Sequence, residues 1–156
     1  MAFLRPTFMF NGNPVRAAGI LIFTFDRGRR MILFRDIDGR YEDIGGKTDS
    51  ADSSFVDTAV REAAEETGGK LFHPSHRMHD CKNILRDLIN SINCETCYNP
   101  RSKYVLFKIH VHPGILNMTM KRFGIEEHTE WGVLRHYYRW KARVPRNIHP
   151  RLYGLV

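Results

Sequence analysis

Three carboxylates, Glu62, Glu65 and Glu66, lie within five residues, directly after Arg61. On an α-helix each residue advances about 100° around the axis, so these acids share an arc of about 100°. Acids set so closely repel one another, and a helix serving structure alone intersperses lysines at i+4. Here Arg61 is the only cation in the cluster. A bound divalent cation offsets the repulsion most simply. Clustered hard oxygens suit Mg²⁺ or Mn²⁺ rather than zinc. The plainer alternative is a solvated acidic face.

Arg61-Glu62-Ala63-Ala64-Glu65-Glu66-Thr67-Gly68, with Gly45-Gly46-Lys47 before it, resembles the signature of the Nudix hydrolases. That signature runs Gly, five residues, Glu, seven residues, Arg-Glu, apolar, any, Glu-Glu, any, Gly, apolar. Arg61 through Gly68 match its second half without a gap. Counting from Gly46, the expected Glu is Asp52, one residue too many separates it from Arg61, and Gly69 replaces the final apolar residue.

The resemblance implies an α/β protein, a mixed β-sheet in an α/β/α sandwich. It implies a Mg²⁺- or Mn²⁺-dependent pyrophosphohydrolase whose metal is held by Glu62, Glu65, Glu66 and the Gly46 carbonyl. Glu65 and Arg61 are then the catalytic candidates of the box. Gly45, Gly46 and Lys47 form the turn that lies against the pyrophosphate in this family. Nudix enzymes often carry a further acid just before an aromatic strand. Glu127 matches it, with Glu126 and Glu130 as substitutes. Arg35, at the end of a strand, is a candidate for a bidentate phosphate contact.

The acids need a helix to hold them. Val56, Ala59, Val60 and Ala63 recur at i, i+3, i+4, i+7 and predict its buried stripe. Asp49, Ser50 or Asp52 can cap its start, and Gly68-Gly69 stop it. Upstream, Ala17–Phe25 and Arg30–Arg35 read as a hairpin joined at Asp26-Arg27-Gly28-Arg29. Tyr41–Ile44 reads as a third strand. Ser102–His112 is the clearest strand of the second half, with His110 and His112 on one face. Asn117–Phe123 is a short helix or loop, and the chain's end is expected to form a helix broken by Pro145 and Pro150.

Residues 71–101 look like an insertion in a single domain spanning 1–156. Cys81–Ile92 predicts a helix with Ile84, Leu85, Leu88 and Ile92 on its stripe. Cys94-Glu95-Thr96-Cys97 is a lone CxxC. With Cys81 and one of His73, His76 or His79 it could complete a zinc site; the alternative is three reduced structural thiols. No apolar run approaches the roughly 20 residues of a membrane span. Three cysteines, an odd number and no disulfide framework, suit an intracellular setting, cytoplasmic or nuclear.

The 156 residues carry a net charge of +7. Arg135, Arg139, Lys141, Arg143, Arg146 and Arg151 supply much of it within the basic segment 131–156, which has no acid. A polyanionic partner follows. The expected substrate is thus a nucleoside diphosphate derivative or another polyphosphate, with capped RNA or an inositol pyrophosphate as the longer candidates. The alternative is a catalytically weak Nudix-fold module that binds nucleotides or RNA.

Overall fold

The computed structural model describes residues 4–118, 125–129 and 132–156. A small hairpin, β1 (Phe8–Phe10) and β2 (Asn13–Val15), leads into the apolar run, which becomes the central strand β3 (Ala17–Asp26). β4 (Arg29–Ile37) folds back on it. Arg27 and Gly28 at the bend both take positive φ, 53° and 76°. That is the two-residue turn whose twist matches paired strands.

The expected third strand is divided at Asp43. β5 (Arg40–Glu42) pairs with β4, whereas β6 (Ile44–Lys47) pairs with the first half of β3. The Gly45-Gly46 backbone therefore lies beside β3 where β4 does not reach. Gly45 must be glycine, because a Cβ there would strike the Tyr104 hydroxyl and the Gly19 backbone.

β8 (Tyr104–His110) runs parallel to β3, with β7 (Cys94–Asn99) antiparallel on its outer side. β10 (Gly132–Lys141) lies antiparallel to β4, and β9 (Ile125–Thr129) lies beyond it. The result is one mixed sheet in the order β7-β8-β3-β4-β10-β9.

β3 alternates faces as a strand must. Ala18, Ile20 and Ile22 enter one core with α1 (Phe55–Glu66) and α2 (Met78–Ile89). Leu21 and Phe23 enter a second core, closed by Leu152 and Leu155 with Val144 and Ile148. A mixed sheet with two helices in one domain is thus the architecture the sequence led us to expect. The second face is covered by the chain's end, with one 3-10 turn at Pro150–Leu152.

Two local expectations need correction. The strand that begins at Gly132 continues to Lys141, in place of the helix expected at the chain's end. Tyr137 and Arg139 are exposed while Tyr138 is buried and Trp140 half-buried, a period of two. Pro145 and Pro150 then exclude a helix interior. In α2 the buried stripe is Cys81, Leu85 and Ile89, with Ile84 and Leu88 partly buried. The helix ends at Ile89, and Ile92 is fully exposed in the turn that follows.

Candidate active site

The acidic helix begins at Ser54, not at Asp49, Ser50 or Asp52. The Ser54 side chain accepts the Asp57 backbone N–H at 3.3 Å, and the Asp57 carboxylate accepts Ser53 N–H at 2.9 Å. Ala59, Val60, Ala63 and Ala64 face the core, which turns the acids toward the edge of that buried face. At the other end the buried Tyr138 hydroxyl, from β10, donates to the Glu66 carbonyl.

Asp52 has a different task from capping. Its Oδ1 receives Arg61 Nε at 2.9 Å; its Oδ2 receives the Asp49 N–H at 2.9 Å, Thr58 Oγ1 at 2.8 Å and a second Arg61 nitrogen at 3.1 Å. Burial alone would raise the Asp52 carboxyl. The Arg61 hydrogen bond, the Asp49 amide and Thr58 outweigh it and hold the group below the usual carboxylate range. Although one methylene shorter than the Glu of the family signature and one residue further from Arg61, Asp52 still reaches the guanidinium.

Arg61 connects the turn, the loop and the acids. Besides Asp52 it donates to the Lys47 carbonyl at 2.9 Å, to Glu62 Oε1 at 2.9 Å and to Glu65 Oε2 at 3.4 Å. Burial opposes its charge, but the Asp52 hydrogen bond and the Glu62 charge raise its pKa above the ordinary arginine value. Arg61 is therefore a permanent cation that fixes Glu62 over β6. The fit there is close: a Cβ on Gly46 would lie 2.5 Å from Glu62 Cδ and 2.7 Å from both carboxylate oxygens. Lys47 itself is exposed.

Glu65 is the open member of the cluster, with its side chain 49% exposed. Glu66 is the closed one. Its Oε1 pairs with Arg35 at 2.7 Å, and its Oε2 is buried with no hydrogen-bond partner among the described residues. Burial pushes its carboxyl well above the usual range; Arg35 opposes the rise and Glu62 adds to it. Arg35, the candidate phosphate contact, is buried at the site, where Glu42 takes its Nε at 2.9 Å. Gly46, Lys47, Arg61, Glu62, Glu65, Glu66 and Arg35 are thus brought together around the end of β6 and the last two turns of α1. Glu127 lies on β9, paired with Leu134 in β10. Its side chain, that of Glu126, and the whole of Glu130 lie outside the described residues, as does most of Asn117–Phe123.

The donor set tests whether a divalent metal fits. Buried Glu66 Oε2 has no hydrogen-bond partner among the described residues, and Glu62 rests on a glycine backbone that leaves room for it. All available donors are hard oxygens, which fits Mg²⁺ or Mn²⁺. No three His, Cys, Asp or Glu side chains already converge as a metal cage among the described residues. The third acid, Glu65, stands instead at the solvent rim.

The zinc reading is corrected. Cys94 and Cys97 lie on β7, where residues at i and i+3 point to opposite faces. Cys94 packs against the helix-side core and Cys97 against the other, so the pair cannot chelate one ion. Cys81 is buried in α2, and burial pushes the Cys81 and Cys94 thiols up to about 11, leaving them protonated and inert. His112 accepts the Gly114 N–H in a 3-10 turn, and the His110 ring stacks on Phe23 at 4.9 Å.

Four residues linked to the site through Arg35 had no local signal. Glu42 receives Arg35 Nε, and Arg151, Asp43 and Tyr104 follow it in turn; they come from three distant segments, and nothing in their periodicity marks them. Asp52 did have a signal, its place in the Nudix signature.

No protein-family model matches the chain, and no curated protein matches it. Among solved structures, the C. elegans Ap4A hydrolase overlays it with a TM-score of 0.39 and 18% identity, covering 81% of this chain and 78% of that one. A binary complex of a C. elegans Ap4A hydrolase gives 0.38 and 19%, covering 81% and 77%. The likeness is loose, and the site chemistry rests on the residues alone.

Proposed function

We propose that the chain is a Nudix-type pyrophosphohydrolase that uses Mg²⁺ or Mn²⁺ to cleave a diphosphate bond. The observation that carries this reading is the Glu66 carboxylate. One oxygen is fixed by Arg35 and the other is buried without a partner, beside Glu62 on its glycine bed. A helix serving structure alone gains nothing from burying an orphaned carboxylate oxygen, which costs about 1–3 kcal/mol or more.

Glu62, Glu65 and Glu66 would hold the metal, which when bound neutralises phosphate oxygens and lowers the pKa of a water. Arg61 holds Glu62 and approaches Glu65, and Arg35 holds Glu66, so the acids need little reorganisation when substrate arrives. In the reaction, water attacks one phosphorus and the bridging P–O bond breaks. The proton from water passes to a carboxylate of the cluster. Glu65, the acid open to solvent, is assigned that proton. Lys47, exposed at the end of β6, is assigned a substrate phosphate.

We assign the substrate to the nucleoside diphosphate derivatives. The net charge of +7 favours a longer or more highly charged polyanion, either capped RNA within that class or, outside it, an inositol pyrophosphate. The test is a phosphate-release screen across nucleotides, capped RNA and inositol pyrophosphates with Mg²⁺ present. Glu65→Gln should keep the fold and lower turnover on the order of a hundredfold. Unaltered turnover in that variant removes Glu65 from the chemistry. Nucleotide binding without any phosphate release would leave a binding module instead.

A further inference from the structure

Glu66 is one end of a buried run of alternating charges that crosses to the opposite face of the sheet. Arg35 NH1 lies 2.7 Å from Glu66 Oε1, and Arg35 Nε donates to Glu42 Oε1 at 2.9 Å. The other Glu42 oxygen lies 3.9 Å from Arg151. Arg151 Nε donates to Asp43 Oδ1 at 2.8 Å, and its NH2 reaches the Asp43 carbonyl at 3.2 Å. Asp43 also accepts the Tyr104 hydroxyl, while the Arg151 guanidinium lies 4.9 Å over the Tyr104 ring. The Asp43 side chain is wholly buried and that of Arg151 is 12% exposed.

We propose that Arg151, carried by the chain's C-terminal segment, is a positioning residue for the acidic site, acting through Glu42 and Arg35 on Glu66. The physical reason is charge competition. With Arg151 in place, three buried carboxylates share two buried guanidinium groups, and half-exposed Arg40 lies 4.0 Å from the outer Glu42 oxygen. Arg151 neutralises Asp43 and faces the outer Glu42 oxygen, which leaves Arg35 NH1 for Glu66. Without Arg151, Glu42 and Asp43 are left with Arg35 as the one buried guanidinium of the run, and half-exposed Arg40 stays 4.0 Å from the outer Glu42 oxygen. Glu42 lies in the middle of the run and already receives Arg35 Nε. Arg35 is then drawn further onto Glu42, and the Glu66 carboxylate loses the contact that fixes its orientation. The segment that closes the second core thereby sets the geometry of a carboxylate on the first.

This inference rests on the proposed metal site, and two readouts separate them. Arg151→Met, which keeps an apolar stem without the charge, is compared with Tyr104→Phe, which removes a hydroxyl from the same cluster outside the path to Arg35. The first readout is the metal-free crystal structure. In Arg151→Met the Glu66–Arg35 contact should break, and in Tyr104→Phe it should persist. The second is Mn²⁺ affinity in the full chain. It should fall about tenfold in Arg151→Met, the scale of losing a partner that orients a metal ligand, and stay within twofold in Tyr104→Phe. An intact Glu66–Arg35 contact in Arg151→Met overturns the inference. So does an equal loss of Mn²⁺ affinity in both variants, which would reflect general loosening. If the parent binds no Mn²⁺ yet the contact breaks in Arg151→Met, the metal reading fails and the positioning inference stands.

Discussion

Two acids of the site respond to pH in opposite directions, and the sign follows from what surrounds each. Burial raises Glu66 above its unfolded value. Between those two values the folded chain binds more protons, so its stability is present at low pH and lost as pH rises through the folded value. Glu66→Gln removes that loss. Metal-free Glu66→Gln should therefore melt a few degrees higher than the parent at pH 8, at roughly 3 °C per kcal/mol gained, while binding Mn²⁺ far more weakly. A lower melting temperature at pH 8 would mean that the Arg35 pair outweighs the burial. Asp52 is the reverse case. Its folded value lies below the ordinary carboxylate value, so its stabilising contribution is present above about pH 4 and lost as pH falls through the folded value. Asp52→Asn should flatten the acid limb of a melting profile taken from pH 6 to pH 2. Gly46→Ala tests the bed under Glu62. A methyl 2.5 Å from Glu62 Cδ displaces the carboxylate, and Mn²⁺ affinity should fall about 10- to 100-fold by calorimetry. Unchanged affinity would place the ion elsewhere. Glu62, Glu65, Glu66 and Arg61 were legible because their grouping is local. The Arg35–Glu66 pair was not, because strand register alone brings β4 under the helix end.

At the scale of elements, apolar spacing was a good guide wherever an element faces one core. The α1 stripe lies where its 3.6-residue period puts it, and the β3–β4 hairpin follows from its run of β-branched and aromatic residues and its glycine turn. Boundaries were less visible. Ser54 caps α1 although three nearby side chains have the same chemistry, because Asp52 is committed to Arg61 and Thr58. Ser54→Ala should cost about 1 kcal/mol, a fall in melting temperature of about 2–4 °C. A change of under half a degree would show that Asp57 holds the end alone. Ile92 fits the α2 period but lies beyond the helix. Ile92→Asn should leave stability within about 0.5 kcal/mol, whereas Leu85→Ala, at a fully buried position, should cost about 2–5 kcal/mol. Equal costs in urea unfolding would place Ile92 in the core. The CxxC misled for a related reason: its metal-binding sense assumes a loop, and on a strand the two thiols part to opposite faces.

Charge pairing is a property of the whole molecule, and here it redistributes what composition implied. Of the cations after Gly132, Arg151 is enclosed by Asp43 and Glu42, Arg139 pairs with Asp36 at 2.7 Å, and Lys141 lies 4.9 Å over the Tyr41 ring. Arg143 and Arg146 remain exposed. Arg27, Arg29 and Arg30 are exposed on the β3–β4 turn, where Arg30 also lies 4.8 Å over Phe23. A run of basic residues in sequence thus overstates the surface available to a polyanion, because its strongest members are neutralised by acids far away in the chain. Binding of single-stranded RNA, measured by fluorescence anisotropy from 50 to 300 mM salt, reads that surface directly. Each phosphate-neutralising cation removed should lessen the slope of log K against log salt by about 0.7. Arg143→Gln with Arg146→Gln should therefore flatten it by about 1.4 in all, with turnover on a small dinucleotide unchanged because neither residue contacts the acidic cluster. Arg139→Gln, already paired with Asp36, should change the slope less than either. If the double variant keeps the parent's slope, the RNA does not lie along residues 143–146. If the parent's own affinity is flat in salt, the excess charge serves solubility and the substrate is a small polyphosphate.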